Sequence, residues 1–151
     1  MMAGALAGRV LNGLSDSVAA DLERAKWLSE QTIRLSPHDP ELGVWYKQIG
    51  AAHLLQSHTA EAVIWLEKAR NHTPAHPMIR GDLASACALA GQTERASAEL
   101  AEARRLSPDD RYSSIARLKE ISNFEVLTAQ IRALYETTYF AGLRKAGVPE
   151  K

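Results

Sequence analysis

The residues able to do chemistry are few, and their spacing argues against most of the chemistry they could do. Five histidines stand at His38, His53, His58, His72 and His76. His72 and His76 have the i,i+4 spacing by which a helix offers two imidazoles to one zinc ion, but Pro74 lies between them and a helix does not run through it. His53 and His58 are five apart near an expected helix end and read as turn or surface groups. Asp109 and Asp110 are neighbouring carboxylates of the kind that share acid–base work. They follow Ser107-Pro108, where a helix is expected to begin, so capping of its free amides is the expected role. Cys87, the only cysteine, sits among Ala84, Ala86 and Ala88, with no histidine or helix N-terminus placed to activate its thiol. No Gly-rich phosphate loop, nucleophile elbow or zinc-binding cysteine pair occurs. The chain is expected to be no enzyme and to carry no catalytic residue, cofactor or metal.

Composition narrows the partners. Eighteen Lys and Arg are balanced by 18 Asp and Glu, so no electrostatic footprint for nucleic acid or an anionic membrane is expected. No uncharged stretch approaches the ~20 apolar residues of a membrane span. The opening MMAGALAGRVLNG has no basic leader before its short apolar run and reads as the start of a helix rather than a signal peptide. A lone cysteine forms no intrachain disulfide, which points to a reducing, cytoplasmic setting.

The elements that must position these residues repeat. Ile49, Ala62, Leu66, Ala69 and Pro74 return 34 residues later as Leu83, Ala96, Leu100, Ala103 and Pro108. A fainter copy upstream keeps Gly13, Ala25 and Pro37 but has Ser29 where a bulky residue is expected. A fixed period of this length marks stacked helix pairs. Apolar residues recur at helical spacing, and prolines punctuate the polar breaks at 36–40, 73–77 and 107–110. Within the pairs, Thr59 and Thr93 are expected N-caps and Gly91 an expected helix end. Helices are expected over 3–14, 17–35, 41–56, 59–72, 77–90, 93–106, 110–121 and 123–146. The last is expected to open on a capping box at Ser122-Asn123-Phe124-Glu125 and to close at Gly147-Val148-Pro149. This divides the single domain, 1–151, into units at about 6–39, 43–76 and 77–110, followed by C-terminal helices at about 110–121 and 123–146. The weak first unit, with the chain opening inside it, suggests a cut through a longer array.

These residues resemble the tetratricopeptide repeat, which favours a large apolar residue then Gly on its first helix, small–bulky–small apolar residues on its second, and Pro in the exit turn. Ile49, Gly50, Ala62, Leu66, Ala69 and Pro74 match in unit two, and Leu83, Ala84, Ala96, Leu100, Ala103 and Pro108 in unit three, with Ala84 in the glycine's place. The resemblance implies an all-α fold: a right-handed superhelical solenoid of antiparallel helix pairs, with extra C-terminal helices. The tail Tyr139-Phe140-Ala141-Gly142-Leu143-Arg144-Lys145-Ala146-Gly147-Val148-Pro149-Glu150 is similar to the ending of repeat regions that follow bacterial class III adenylate/guanylate cyclase domains, with Val148 in a leucine's place. The short acidic, proline-containing linker expected before such a tail is absent. Nothing in the chain resembles the cyclase domain itself.

In the repeat family partners bind the concave face, lined by the first helix of each pair. Here that face carries Val44, Lys47, Ala51 and Leu54 in unit two and Met78, Gly81, Ser85 and Ala88 in unit three. Chaperone-binding members clamp a peptide carboxylate there with Lys, Asn and Arg; only Lys47 matches. A trough of small apolar residues suits an amphipathic helix instead. The chain offers one, with Leu127, Ile131, Leu134 and Tyr135 in a stripe and Tyr139, Phe140 and Leu143 beyond. This last helix either caps the solenoid or fills the groove, in its own chain or a neighbour's; the latter gives a domain-swapped homodimer. The expected function is protein–protein interaction, as a regulatory or scaffolding C-terminal segment of an adenylate cyclase-like protein. The alternatives are a free-standing adaptor, or a small-molecule sensor with a pocket under the last helix where Tyr135, Tyr139 and Trp45 stack on a ligand.

Overall fold

In a computed structural model of the protein, residues 18–151 are described, and all their regular structure is helical. The expected helix over 3–14 and Gly13 lie outside the described residues. Among the described residues five long helices come first: α1 (Val18–Leu35), α2 (Leu42–Leu55), α3 (Thr59–His72), α4 (Pro77–Leu89) and α5 (Thr93–Leu106). Each packs against the next.

The 34-residue period appears in the hydrogen bonds as well as in the sequence. The turn between α2 and α3 closes with the His58 amide donating to the His53 carbonyl (2.8 Å), and the turn between α4 and α5 with the Gln92 amide donating to Cys87 (2.9 Å). Both turns need a left-handed residue. Gly91 supplies it at φ 81°, and in unit two Ser57 adopts it at φ 63°. The hydroxyls of Thr59 and Thr93 do not cap: each threonine is already the first helical residue, and no side chain caps either helix. The packing repeats too, with Ile49, Leu83, Ala62, Ala96, Leu66, Leu100, Ala69 and Ala103 all buried. Gly50 marks a close crossing of α2 and α3, where an added Cβ would lie 2.7 Å from Leu66 Cγ. Charges bind one pair to the next. Glu99 on α5 is buried and accepts from Arg70 of α3 and Arg80 of α4, each at 3.0 Å, while Arg95 reaches Glu67 at 2.7 Å. In the first unit Ser29 is fully buried, but Ala25 is only half-buried.

The C-terminal part departs from the expected two helices. Residues 110–121 form a 3-10 turn (Arg111–Ser113) and a short helix, α6 (Ile115–Ile121). Ser114 interrupts them in extended conformation, and its hydroxyl caps α6 by accepting from the Arg117 amide at 3.0 Å. The expected capping box is not a helix start: Asn123 is left-handed (φ 57°) and leads into a 3-10 turn (Phe124–Val126). Helix α7 (Ala129–Thr137) opens instead at Thr128, whose hydroxyl accepts from the Ile131 amide. The expected long helix then breaks at Thr138. Thr137 and Thr138 turn their hydroxyls onto the carbonyls of Ala133 and Leu134, an alternative that competes with helix propagation. Helix α8 (Tyr139–Ala146) follows and stops at Gly147 (φ 115°), with the Val148 amide donating to Leu143 at 3.0 Å.

Nearly every residue of the tail signature has a physical task. Gly142 allows contact with the α4 backbone, and Leu143, Ala146 and Val148 are buried. Arg144 pairs with Glu136 of α7 and with Glu150. The carbonyls of Pro149 and Glu150 accept from the free amides of Ile115 and Ala116 at the start of α6, at 2.8 and 3.0 Å.

Candidate functional site

The trough-facing residues of α2 and α4 do not face solvent alone. Helix α8 lies along α4: the Ser85 hydroxyl donates to the Tyr139 carbonyl at 2.8 Å, and Gly142 abuts Ser85. Ala88 is buried in the shared core with Phe140 and Leu143. Gly81 faces Tyr112, where an added Cβ would lie 2.6 Å from the ring carbon bearing the hydroxyl. Helix α7 crosses further along, where Ile131 packs with Val18 and Leu22 of α1 and Ala52 of α2. The stripe expected on one helix is therefore split. Leu127 precedes α7, Ile131, Leu134 and Tyr135 ride on it, and Tyr139, Phe140 and Leu143 ride on α8.

Between trough and C-terminal segment remains a cavity of about 250 Å³. Its floor is Lys47, Ala51 and Leu54 of α2 with Met78 and Asp82 of α4, and its roof includes Phe124, Leu127, Tyr135, Tyr139 and Phe140. The roof aromatics brace one another edge to face: Phe124 and Phe140 at 5.0 Å, Phe124 and Tyr135 at 6.2 Å, Tyr135 and Tyr139 at 6.0 Å. Of the expected trough residues, Lys47, Ala51, Leu54 and Met78 line the cavity and Val44 does not. Trp45 takes no part; its indole N–H donates to Asp39 at 3.4 Å.

The polar side of the cavity centres on the Lys47–Asp82 ion pair, 3.3 Å apart. Burial pushes the Asp82 carboxyl up, and Lys47 opposes the shift. Burial also raises the nearby phenols, Tyr135 up to about 12, with the Asp82 charge adding to the effect. Burial likewise raises Tyr112 and Tyr139 well above the ordinary phenol value. Arg111 lines the cavity as well, held by Asp109 through a bond of 2.9 Å to Oδ1. Asp82, Arg111 and Tyr112 escape the sequence reading. Asp82 leaves one signal, a single charge inside the otherwise uncharged run 81–90.

The other candidates are structural. Asp109 and Asp110 begin no α-helix: Asp109 accepts from Ser107, Arg111 and the Arg111 amide, and Asp110 accepts from Arg117 at 2.7 Å. His53 and His58 bring ring nitrogens within 3.4 Å, and burial lowers the His53 pKa. Among the described residues no group of three or more His, Cys, Asp and Glu could hold a metal ion, and no helix is long and apolar enough to cross a membrane.

No protein-family model matches the chain, and a search of curated proteins found no match.

Proposed function

We propose that the chain is a non-catalytic interaction module of tetratricopeptide type, a right-handed solenoid whose concave trough holds an amphipathic helix. In this reading it is the regulatory or scaffolding C-terminal segment of an adenylate cyclase-like protein of the bacterial cytoplasm. The observation that carries the reading is the seat of α8 on Ser85 and Ala88 of α4. A row of small residues that accepts one apolar helix at backbone distance has the chemistry to accept another, with anchors such as Phe140 and Leu143 supplying the buried area. The 34-residue recurrence of turns and buried positions supports the repeat assignment, and the tail signature supports the cyclase context.

The test is an immunoblot of source-cell lysate with an antibody raised against this chain, followed by immunoprecipitation. The expected result is a band well above the chain's own 16.5 kDa, with nucleotide cyclase activity in the precipitate. A band near 16.5 kDa with a co-precipitating partner removes the cyclase context and leaves a free-standing adaptor. A precipitate with neither cyclase activity nor partner refutes the interaction reading.

A further inference from the structure

We infer that the cavity between the trough and the C-terminal segment is a binding site for a compact aromatic carboxylate. Three observations combine. The first is size. An apolar protein cavity of roughly 150 Å³ holds benzene, and this one, at about 250 Å³, has room for a fused or substituted ring. The second is the wall. Phe124, Tyr135, Tyr139 and Phe140 present ring faces and edges already braced at 5.0 to 6.2 Å from one another, so a planar guest stacks without reordering them.

The third is charge. The charged side chains lining the cavity are Lys47, Asp82 and Arg111, and Arg111 is already paired with Asp109 through Nε and Nη2, each at 2.9 Å. Asp82 occupies one donor of the Lys47 ammonium at 3.3 Å, and an ammonium has three. A guest carboxylate therefore gains a charge-assisted bond from Lys47 without displacing Asp82. A neutral guest of the same shape forgoes that bond, and a cationic guest meets the like charge of Lys47. Because the floor belongs to α2 and α4 and the roof to the C-terminal segment, such a guest joins the two parts. This site is distinct from partner docking and does not depend on the cyclase context.

The experiment is isothermal titration of the full chain with 2-naphthoate and with its neutral analogue 2-naphthamide. The expected result is one naphthoate per chain, bound about tenfold or more tighter than the amide, as a charge-assisted bond of ordinary strength implies. Lys47→Gln abolishes that preference while leaving the amide's affinity unchanged. Ala51→Phe, which fills the cavity from α2, abolishes binding of both. The inference is overturned if naphthoate does not bind at millimolar concentration, if the wild-type chain binds acid and amide alike, or if Ala51→Phe binds naphthoate as the wild type does. Lys47→Gln could unfold the chain, but the acid–amide comparison and Ala51→Phe decide the matter without it.

Discussion

Replacing Gly142 by Ala tests the seat of α8 with a single methyl group. A Cβ at this position would lie 2.5 Å from the Ser85 carbonyl oxygen and 2.9 Å from its carbonyl carbon. Both are backbone atoms in the middle of α4, so no side-chain rotation relieves the contact. To restore a carbon–carbon approach of about 3.5 Å the two helices must part by roughly half an ångström or more, and a gap of that order forfeits about a quarter to a half of the dispersion energy across the contact. Phe140, Leu143 and Ala146, all buried, bear that loss. Overpacking of this kind costs about 1–3 kcal/mol, and weakening the 2.8 Å bond from Ser85 to the Tyr139 carbonyl adds about 1 kcal/mol. Against this stands the better helix propensity of Ala over Gly, about 1 kcal/mol. The net expectation is a loss of about 1–3 kcal/mol in urea unfolding followed by circular dichroism, each kcal/mol lowering Tm by about 2–4 °C. The double variant Gly142→Ala, Ser85→Ala is not rescued, because the obstructing carbonyl remains. A Gly142→Ala chain as stable as wild type, or more so, refutes the reasoning: propensity would then outweigh a contact that is not tight.

Three further outcomes follow from the same packing. Ala62→Leu and Ala96→Leu, each at a fully buried crossing, lose about 1–3 kcal/mol on unfolding, and an unchanged Tm for both removes the repeat alignment. Burial raises the Asp82 carboxyl above its ordinary 3.8, so the folded chain holds that proton more tightly than the unfolded one. The resulting stabilisation is complete below the unfolded value and is lost as pH rises through the raised one. Asp82→Asn should therefore gain stability relative to wild type as pH rises above the ordinary carboxyl value of 3.8, and a difference that does not change with pH contradicts the burial. Cys87 is fully buried and its thiol is raised by burial, so the native chain should resist a disulfide reagent that the urea-unfolded chain consumes at once; equal rates contradict the packing of α4.

The helix pairs α2–α3 and α4–α5 are legible in the sequence because their signals are local. A proline ends each unit, a left-handed residue closes each turn, and small residues mark each crossing. Even there the cap assignments at Thr59 and Thr93 fail, since both helices begin one residue earlier than an N-cap at those positions requires. The tail resists reading because distant partners shape it. Ser114 can start α6 because Pro149 and Glu150, more than thirty residues on, satisfy the amides behind it. The break at Thr138 is not demanded by helix periodicity. It lets α7 reach α1 and α2 while α8 lies on α4. The trough is half legible: Lys47, Ala51, Leu54 and Met78 follow from the helical face, but the pairing of Lys47 with Asp82 joins two helices that sequence spacing alone does not bring together.

Native-state hydrogen exchange bears most directly on the central claim that the chain's own last helix fills the trough. The amides of Gly142 and Val148 donate to Thr138 and Leu143 at 2.9 and 3.0 Å within and just past α8. If α8 is seated as described, both exchange only through the large opening that also frees the Leu83 amide in α4, and with similar protection. Exchange of Gly142 and Val148 near unfolded-chain rates, while Leu83 stays protected, would contradict it.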